Sequence, residues 1–294
     1  MSYPFYILDV FAPHKYAGNQ LAVVRNSQAL SDAEMLAIAR EMNYSETTFI
    51  NSDSPREGGF DVRIFTPGEE VPFAGHPTLG TAFIIQQAIL GQQVDEVVLN
   101  LAVGKIPVTF TYEGGRPSIL WMRQMQPSFL CTLEPQGMAE LLGLEVEDID
   151  SRFPIQEVTT GLPFIIVPLK TLAAVKKCHP ETRRLLSYVS ALTAKNILVF
   201  APETYKSENN FHARVFTDYL GIPEDPATGS ANGCLAAYLV KYRYNGSASL
   251  TARVEQGYQI GRPSLLLLQA AEKDGGIEVN VGGQVVLIAE GRLL

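Results

Sequence analysis

The chain has little of what most often builds metal and redox sites. Its 294 residues include three cysteines, Cys131, Cys178 and Cys234, far apart and without a CxxC pair. An odd, scattered set is a poor disulfide framework, so three reduced, buried thiols are expected. The four histidines, His14, His76, His179 and His212, form neither HExxH nor HxH. That argues against a zinc site, and no metal is expected. No apolar run approaches the ~18–20 residues of a membrane span. No basic block is present either: 23 Lys and Arg stand against 31 Asp and Glu, a net charge of −8. Such a chain is a poor electrostatic partner for nucleic acid or an anionic membrane, and neither is expected. Also missing are GxxxxGK[ST], GxGxxG and G-x-S-x-G, the marks of P-loop, dinucleotide and serine-hydrolase sites.

Apolar residues make up 46% of the sequence and charged residues 18%, enough for a sizeable core and too apolar for disorder. The length fits two domains or one large one. The N-terminal MSYPFYILDVFAP has no basic start, and Asp9 interrupts its apolar run; it reads as a first strand, not a signal peptide. A cytoplasmic protein is the expectation. Residues 5–11 alternate and predict a strand. Ser31 and Glu34 form a capping box at the start of a helix over 32–42. Further strands are predicted at 46–51, 60–66, 96–101, 104–113, 117–123, 163–168, 196–201, 211–217, 249–256, 263–271, 276–281 and 284–290, with short helices near 135–142 and 180–193. Two helices differ from the rest. Segments 77–90 (PTLGTAFIIQQAIL) and 230–242 (SANGCLAAYLVKY) are apolar on nearly all sides, so each has to be buried, wrapped by sheet. Strands outnumber helices and do not alternate with them, which favours α+β over a doubly wound parallel sheet.

The sequence also repeats itself. Residues 60–66 (FDVRIFT) and 211–217 (FHARVFT) both fit F-x-x-R-[IV]-F-T. TTFI (47–50) precedes the first copy as ILVF (197–200) precedes the second, and GNQLAVV (18–24) loosely matches GLPFIIV (161–167). After each copy come a Gly-bearing turn and a buried helix, GHPTLGTA at 75–82 and GSANGCLA at 229–236. Several matches in one order at nearly one spacing indicate duplication. Two lobes of one topology imply a cleft between them, where ligands commonly bind.

Each buried helix starts among small residues, with Gly75 and Gly80 in one case and Gly229 and Gly233 in the other. Exposed N–H groups at a helix start, with the dipole behind them, attract an anion; two such starts suit a carboxylate or a developing oxyanion. The same glycines could instead serve only tight helix–sheet packing. Polar residues cluster nearby. Glu46 opens an apolar strand in NYSETTFI and is a candidate for acid–base work. His76 sits at the first helix start, and Asp225 and Ser230 lie in PEDPATGSANG, where a turn and N-cap is the plainer reading.

The strings GNQLAVV, NYSETTFI, RIFTPGEEVPFAGHPTLGTA and GIPEDPATGSANGCLAAYL resemble the PhzF-like (phenazine biosynthesis) family over nearly the whole chain. The resemblance implies a diaminopimelate-epimerase-like fold: two similar lobes, each a curved, mostly antiparallel sheet around a central buried helix, with the active site in the cleft between them. The first lobe is expected over 1–117, completed by a C-terminal strand at 280–294, and the second over 118–279. By the same resemblance Glu46 is the general acid/base, His76, Asp225 and Ser230 line the catalytic cleft, and Gly75 is the loop glycine beside the histidine. Gly229 is its counterpart in the second helix start. Asn19 matches a residue at the cleft edge, although the family usually has Pro where this chain has Gln20. Diaminopimelate epimerases look similar but carry a cysteine in each helix-start loop; here those positions are Gly75-His76 and Gly229-Ser230.

The expected activity is a cofactor-independent isomerase of the dihydro-hydroxyanthranilate type. Glu46 would move a proton between carbons of a small carboxylate-bearing substrate, in a homodimer as the resemblance implies. An amino-acid racemase or epimerase is the enzymatic alternative, although no second base stands out opposite Glu46. A non-catalytic binding protein on the same scaffold is the other.

Overall fold

A computed structural model describes residues 2–294. The described residues divide into two compact units, residues up to 123 with 282–294, and residues 124–281. In chain order the first unit carries β1 (Tyr3–Val10), β2 (Asn19–Arg25), α1 (Asp32–Met42), β3 (Glu46–Ile50), β4 (Phe60–Phe65), β5 (Glu70–Val71), α2 (Gly75–Ile84), β6 (Glu96–Leu101), β7 (Gly104–Glu113) and β8 (Arg116–Arg123). There follow β9 (Ser128–Leu133), α3 (Pro135–Leu142), β10 (Ile155–Thr159), β11 (Pro163–Pro168), α4 (Leu172–Lys177), α5 (Thr182–Val189), β12 (Asn196–Ala201), β13 (Phe211–Thr217), β14 (Ile222–Asp225), α6 (Gly229–Lys241), β15 (Ser249–Gln256), β16 (Ser264–Lys273), β17 (Gly276–Gly283) and β18 (Val285–Leu293).

The duplication read from sequence is a duplication of topology. In the first unit β2 runs parallel to β3, β3 antiparallel to β4, β4 antiparallel to β5 and parallel to β6, and β6 antiparallel to β7. In the second, β11–β12, β12–β13, β13–β14, β13–β15 and β15–β16 repeat those five relations in the same order. The outer edge matches too. β10 pairs antiparallel with β9, and β1 pairs antiparallel with β18, so the last strand completes the first unit.

Each unit closes around its apolar helix. Every residue of α2 is buried, and the helix packs on β1, β2, β3 and β8. α6 is buried from Gly229 to Val240 against β10, β11, β15 and β16. Gly80 decides how close α2 lies: a Cβ there would meet Leu21 Cδ2 at 2.5 Å and Val10 Cγ2 at 3.0 Å. At Gly233 a Cβ would meet the Gln124 side chain at 3.0 Å. Gly80 and Gly233 therefore serve packing, the plainer of the two roles offered above. On the other face of the first sheet α1 covers Val24, Phe49 and Phe65 with Met35 and Ala39. Its capping box is formed: Ser31 Oγ accepts from the Glu34 N–H, and the Glu34 carboxylate accepts from the Ser31 N–H.

The structure differs from the sequence reading in several places. The helix expected over 77–90 is α-helical only to Ile84; Ile85–Leu90 widen into a π turn that ends at Gly91 in the left-handed region. The helix expected over 180–193 is shorter, Thr182–Val189, capped by Glu181. β2 escapes an alternation test because it is buried on both faces, flanked by β1 and β3. Cys178 and Cys234 are buried, but Cys131 is exposed, on a strand in which no residue is fully buried.

Candidate active site

The first unit brings Glu46, His76 and the start of β2 together. Asn43, left-handed at φ 54°, ends α1 and turns the chain into β3, whose first residue is Glu46. β3 lies parallel to β2 with Glu46 opposite Leu21, and His76 Nε2 reaches both Glu46 and the Gln20 carbonyl. Gly18, at φ 68°, allows that entry: a Cβ there would stand 2.3 Å from the Val10 carbonyl oxygen. Asn19 itself is buried. On the other side Ala74 is extended and offers no side-chain cap, so α2 opens with the N–H groups of Gly75 and His76 uncapped. Pro77, the third helical residue, has no N–H to satisfy.

The His76 ring faces two oxygens and is hydrogen-bonded to one of them. Its Nε2 lies 3.2 Å from the Gln20 carbonyl oxygen and 3.4 Å from Glu46 Oε2. A carbonyl oxygen only accepts, so Nε2 carries the proton. Burial drives the imidazole down to about 3 from its ordinary 6.5, outweighing the Gln20 bond that raises it. That N–H is bonded to the Gln20 carbonyl, so Glu46 Oε2 meets a neutral ring at 3.4 Å, a close contact and neither a hydrogen bond nor an ion pair. Glu46 keeps 18% of its side chain exposed, which leaves it access.

The second unit presents the matching turn. Asp225 ends β14, and Thr228, the N-cap residue of α6, is extended without a side-chain cap to the helix. Gly229 and Ser230 are the first two residues of α6, as Gly75 and His76 are of α2. Asp225 and Ser230 are each largely buried. Thr228 Oγ1 donates a short hydrogen bond to Asp225 Oδ2. The side chain of Gln256, at the end of β15, bonds to both ends of this turn. Cys234, one helical turn deeper, is fully buried, and burial pushes its thiol up to about 12. Among the described residues no three His, Cys, Asp or Glu side chains gather into a set that could hold a metal ion.

Residues 8–291 match the family described as phenazine biosynthesis-like protein. The chain belongs to this PhzF family. It is 33% identical over 293 residues to the trans-2,3-dihydro-3-hydroxyanthranilate isomerase of Pseudomonas aeruginosa, covering 98% of each chain. It is 32% identical over 300 residues to an uncharacterized isomerase of Clostridium acetobutylicum, covering 99% of this chain and 98% of that one. Among solved structures, the PhzF-family protein of Bacillus anthracis matches with a TM-score of 0.91 at 27% identity, covering 100% of this chain and 99% of that one. The protein is an isomerase of the PhzF type.

Within this PhzF chain the departure at Gln20 has a simple physical consequence. His76 is held by the main-chain carbonyl of residue 20, which any side chain there supplies. The main-chain contact of Gln20 and the bonds of Thr228 and Gln256 are not legible from residue type. Thr228 stood inside a motif already singled out, so its place between Asp225 and Gly229 was the available signal. Gln256 had none, because its partners lie 24 to 31 residues away and only the strand register brings them near.

Proposed function

We propose that this chain isomerises a small, carboxylate-bearing substrate by moving one proton between two of its carbons, with Glu46 as the carrier. Glu46 takes the proton as the C–H electron pair spreads into the substrate's conjugated system, then returns it at another carbon as the double bond shifts. The observation that carries this reading is the 3.4 Å contact between Glu46 Oε2 and a His76 ring that burial keeps neutral. A neutral ring packs against the carboxylate without neutralising it by a permanent positive charge. The uncapped starts of α2 and α6 offer N–H groups and positive dipole ends for the substrate carboxylate and the charge that develops. Asp225 and Ser230 orient that substrate, and Asn19 borders it. The relationship to trans-2,3-dihydro-3-hydroxyanthranilate isomerases supports a cyclic dienyl acid of that kind as substrate, and the reaction as drawn needs no cofactor.

A thiol-based racemisation is disfavoured, since Cys234 is buried with its thiol held far above neutral pH. The test is turnover of trans-2,3-dihydro-3-hydroxyanthranilate in deuterated water, followed by NMR. The expected product has a shifted double bond and a relocated hydrogen. Inversion at one carbon with every double bond in place, or no turnover, would overturn the proposal.

A further inference from the structure

Gln256 is fully buried, and the whole of its amide is spent on one turn. Nε2 donates to the Asp225 carbonyl at 2.8 Å and to Thr228 Oγ1 at 3.0 Å. Oε1 accepts from the Thr228 N–H at 3.2 Å and from Asn232 Nδ2 at 2.9 Å. Asn232 Nδ2 also donates to the Thr228 carbonyl at 3.0 Å, which ties the first turn of α6 to the same amide. The next residue explains how the strand comes so close. Gly257 is left-handed at φ 77°, and a Cβ there would stand 2.3 Å from the Arg262 carbonyl oxygen and 2.6 Å from that of Pro226. The end of β15 therefore rests directly on the Asp225–Thr228 turn.

The bonds also have a direction. An amide nitrogen only donates, so Thr228 Oγ1 must accept from Gln256, and its own proton is left for Asp225 Oδ2. Gln256→Glu would reverse this, because the hydroxyl could then donate to the new carboxylate and release Asp225.

We infer that Gln256 is a positioning residue for the reaction: through Thr228 it fixes the Asp225 carboxylate and the start of α6. The inference rests on the proposal that Asp225 and the α6 start act on substrate. A purely structural brace would lower stability and leave the rate per folded molecule alone. A positioning residue lowers kcat and leaves KM nearly unchanged.

The experiment uses the full chain with trans-2,3-dihydro-3-hydroxyanthranilate, comparing Gln256→Glu, Thr228→Val, Thr228→Ser, the Gln256→Glu/Thr228→Val pair and Asp225→Asn. Gln256→Glu and Thr228→Val should each lower kcat at least about tenfold with KM within about threefold. Thr228→Ser should restore the rate, and the pair should be no worse than Gln256→Glu alone, since both changes break one chain of bonds. Amide hydrogen exchange is read in parallel. In Gln256→Glu it should quicken at least about tenfold at Thr228, whose N–H is bonded to the Gln256 side chain, and stay unchanged over 75–84. If Gln256→Glu does not fold, Thr228→Val carries the kinetic arm. An active Asp225→Asn would sink the reading of the site. An inactive Asp225→Asn beside normal kcat in Gln256→Glu and Thr228→Val would sink this inference alone. Should the native chain not turn over this acid, the function proposed above fails and this inference fails with it; unchanged exchange at Thr228 overturns the positioning role by itself.

Discussion

His76 Nε2 stands 3.4 Å from Glu46 Oε2 and 3.2 Å from the Gln20 carbonyl, with the ring buried and neutral. Three segments distant in sequence meet there: the start of β2, the start of β3 and the start of α2. Parallel pairing of β2 with β3 sets the first two side by side, and Gly80 lets α2 approach them.

The buried imidazole makes stability depend on pH. The folded chain holds His76 unprotonated down to about pH 3, whereas the unfolded chain takes up a proton near its ordinary 6.5. Between those values the unfolded state binds more protons. The contribution is thus fully present above pH 6.5 and is lost as pH falls, by at most about 1.4 kcal/mol per pH unit. Urea unfolding of the native chain and of His76→Gln at pH 7, 6 and 5 should show the native chain losing stability faster. Parallel curves would mean that His76 takes up its proton in the folded chain as readily as in the unfolded one.

Thiol reactivity follows burial. Cys178 and Cys234 are buried, with thiols pushed up to about 12, and Cys131 is exposed. A thiol reagent at pH 8 should label Cys131 in the folded chain and all three cysteines after unfolding, and labelling Cys131 should leave turnover intact. Rapid labelling of Cys234 in the folded chain, with loss of activity, would reopen the racemase reading.

The duplicated motif predicts unequal energetics at equivalent arginines. Arg63 pairs with Glu70 and Asp32 and lies 5.1 Å over the Phe65 ring; Arg214 pairs with Glu224 and lies 4.9 Å over Phe216. Arg214 is the more buried, and it also donates to the Val175 and Cys178 carbonyls. Arg214→Ala leaves Glu224 buried and unpaired, a loss of about 3–5 kcal/mol, whereas Arg63→Ala, facing more exposed partners, should cost about 1 kcal/mol. Equal losses in denaturant unfolding would contradict this.

Much of the fold was legible because local signals and burial agreed. The Ser31–Glu34 box, the two all-apolar helices and the F-x-x-R-[IV]-F-T copies each announced an element. Others carried too little signal. β5 has two residues, β14 four and α4 six, too few for a period to register. β9 and β10 were also passed over; β10 reads IQEVT, with Glu157 buried because it accepts the Ala194 N–H. The site showed the same division. The candidate residues Glu46, His76, Asp225 and Ser230 stand in strings with composition of their own, while Gln20 meets His76 through its main chain and Gln256 reaches the Asp225 turn through register.

The most direct measurement is the turnover of trans-2,3-dihydro-3-hydroxyanthranilate by Glu46→Gln beside the native chain, with binding of the acid measured by calorimetry. Glutamine keeps the shape and cannot carry the proton. The account predicts a kcat lower by ~10²–10⁴ with affinity changed little. Near-native turnover in Glu46→Gln would contradict it.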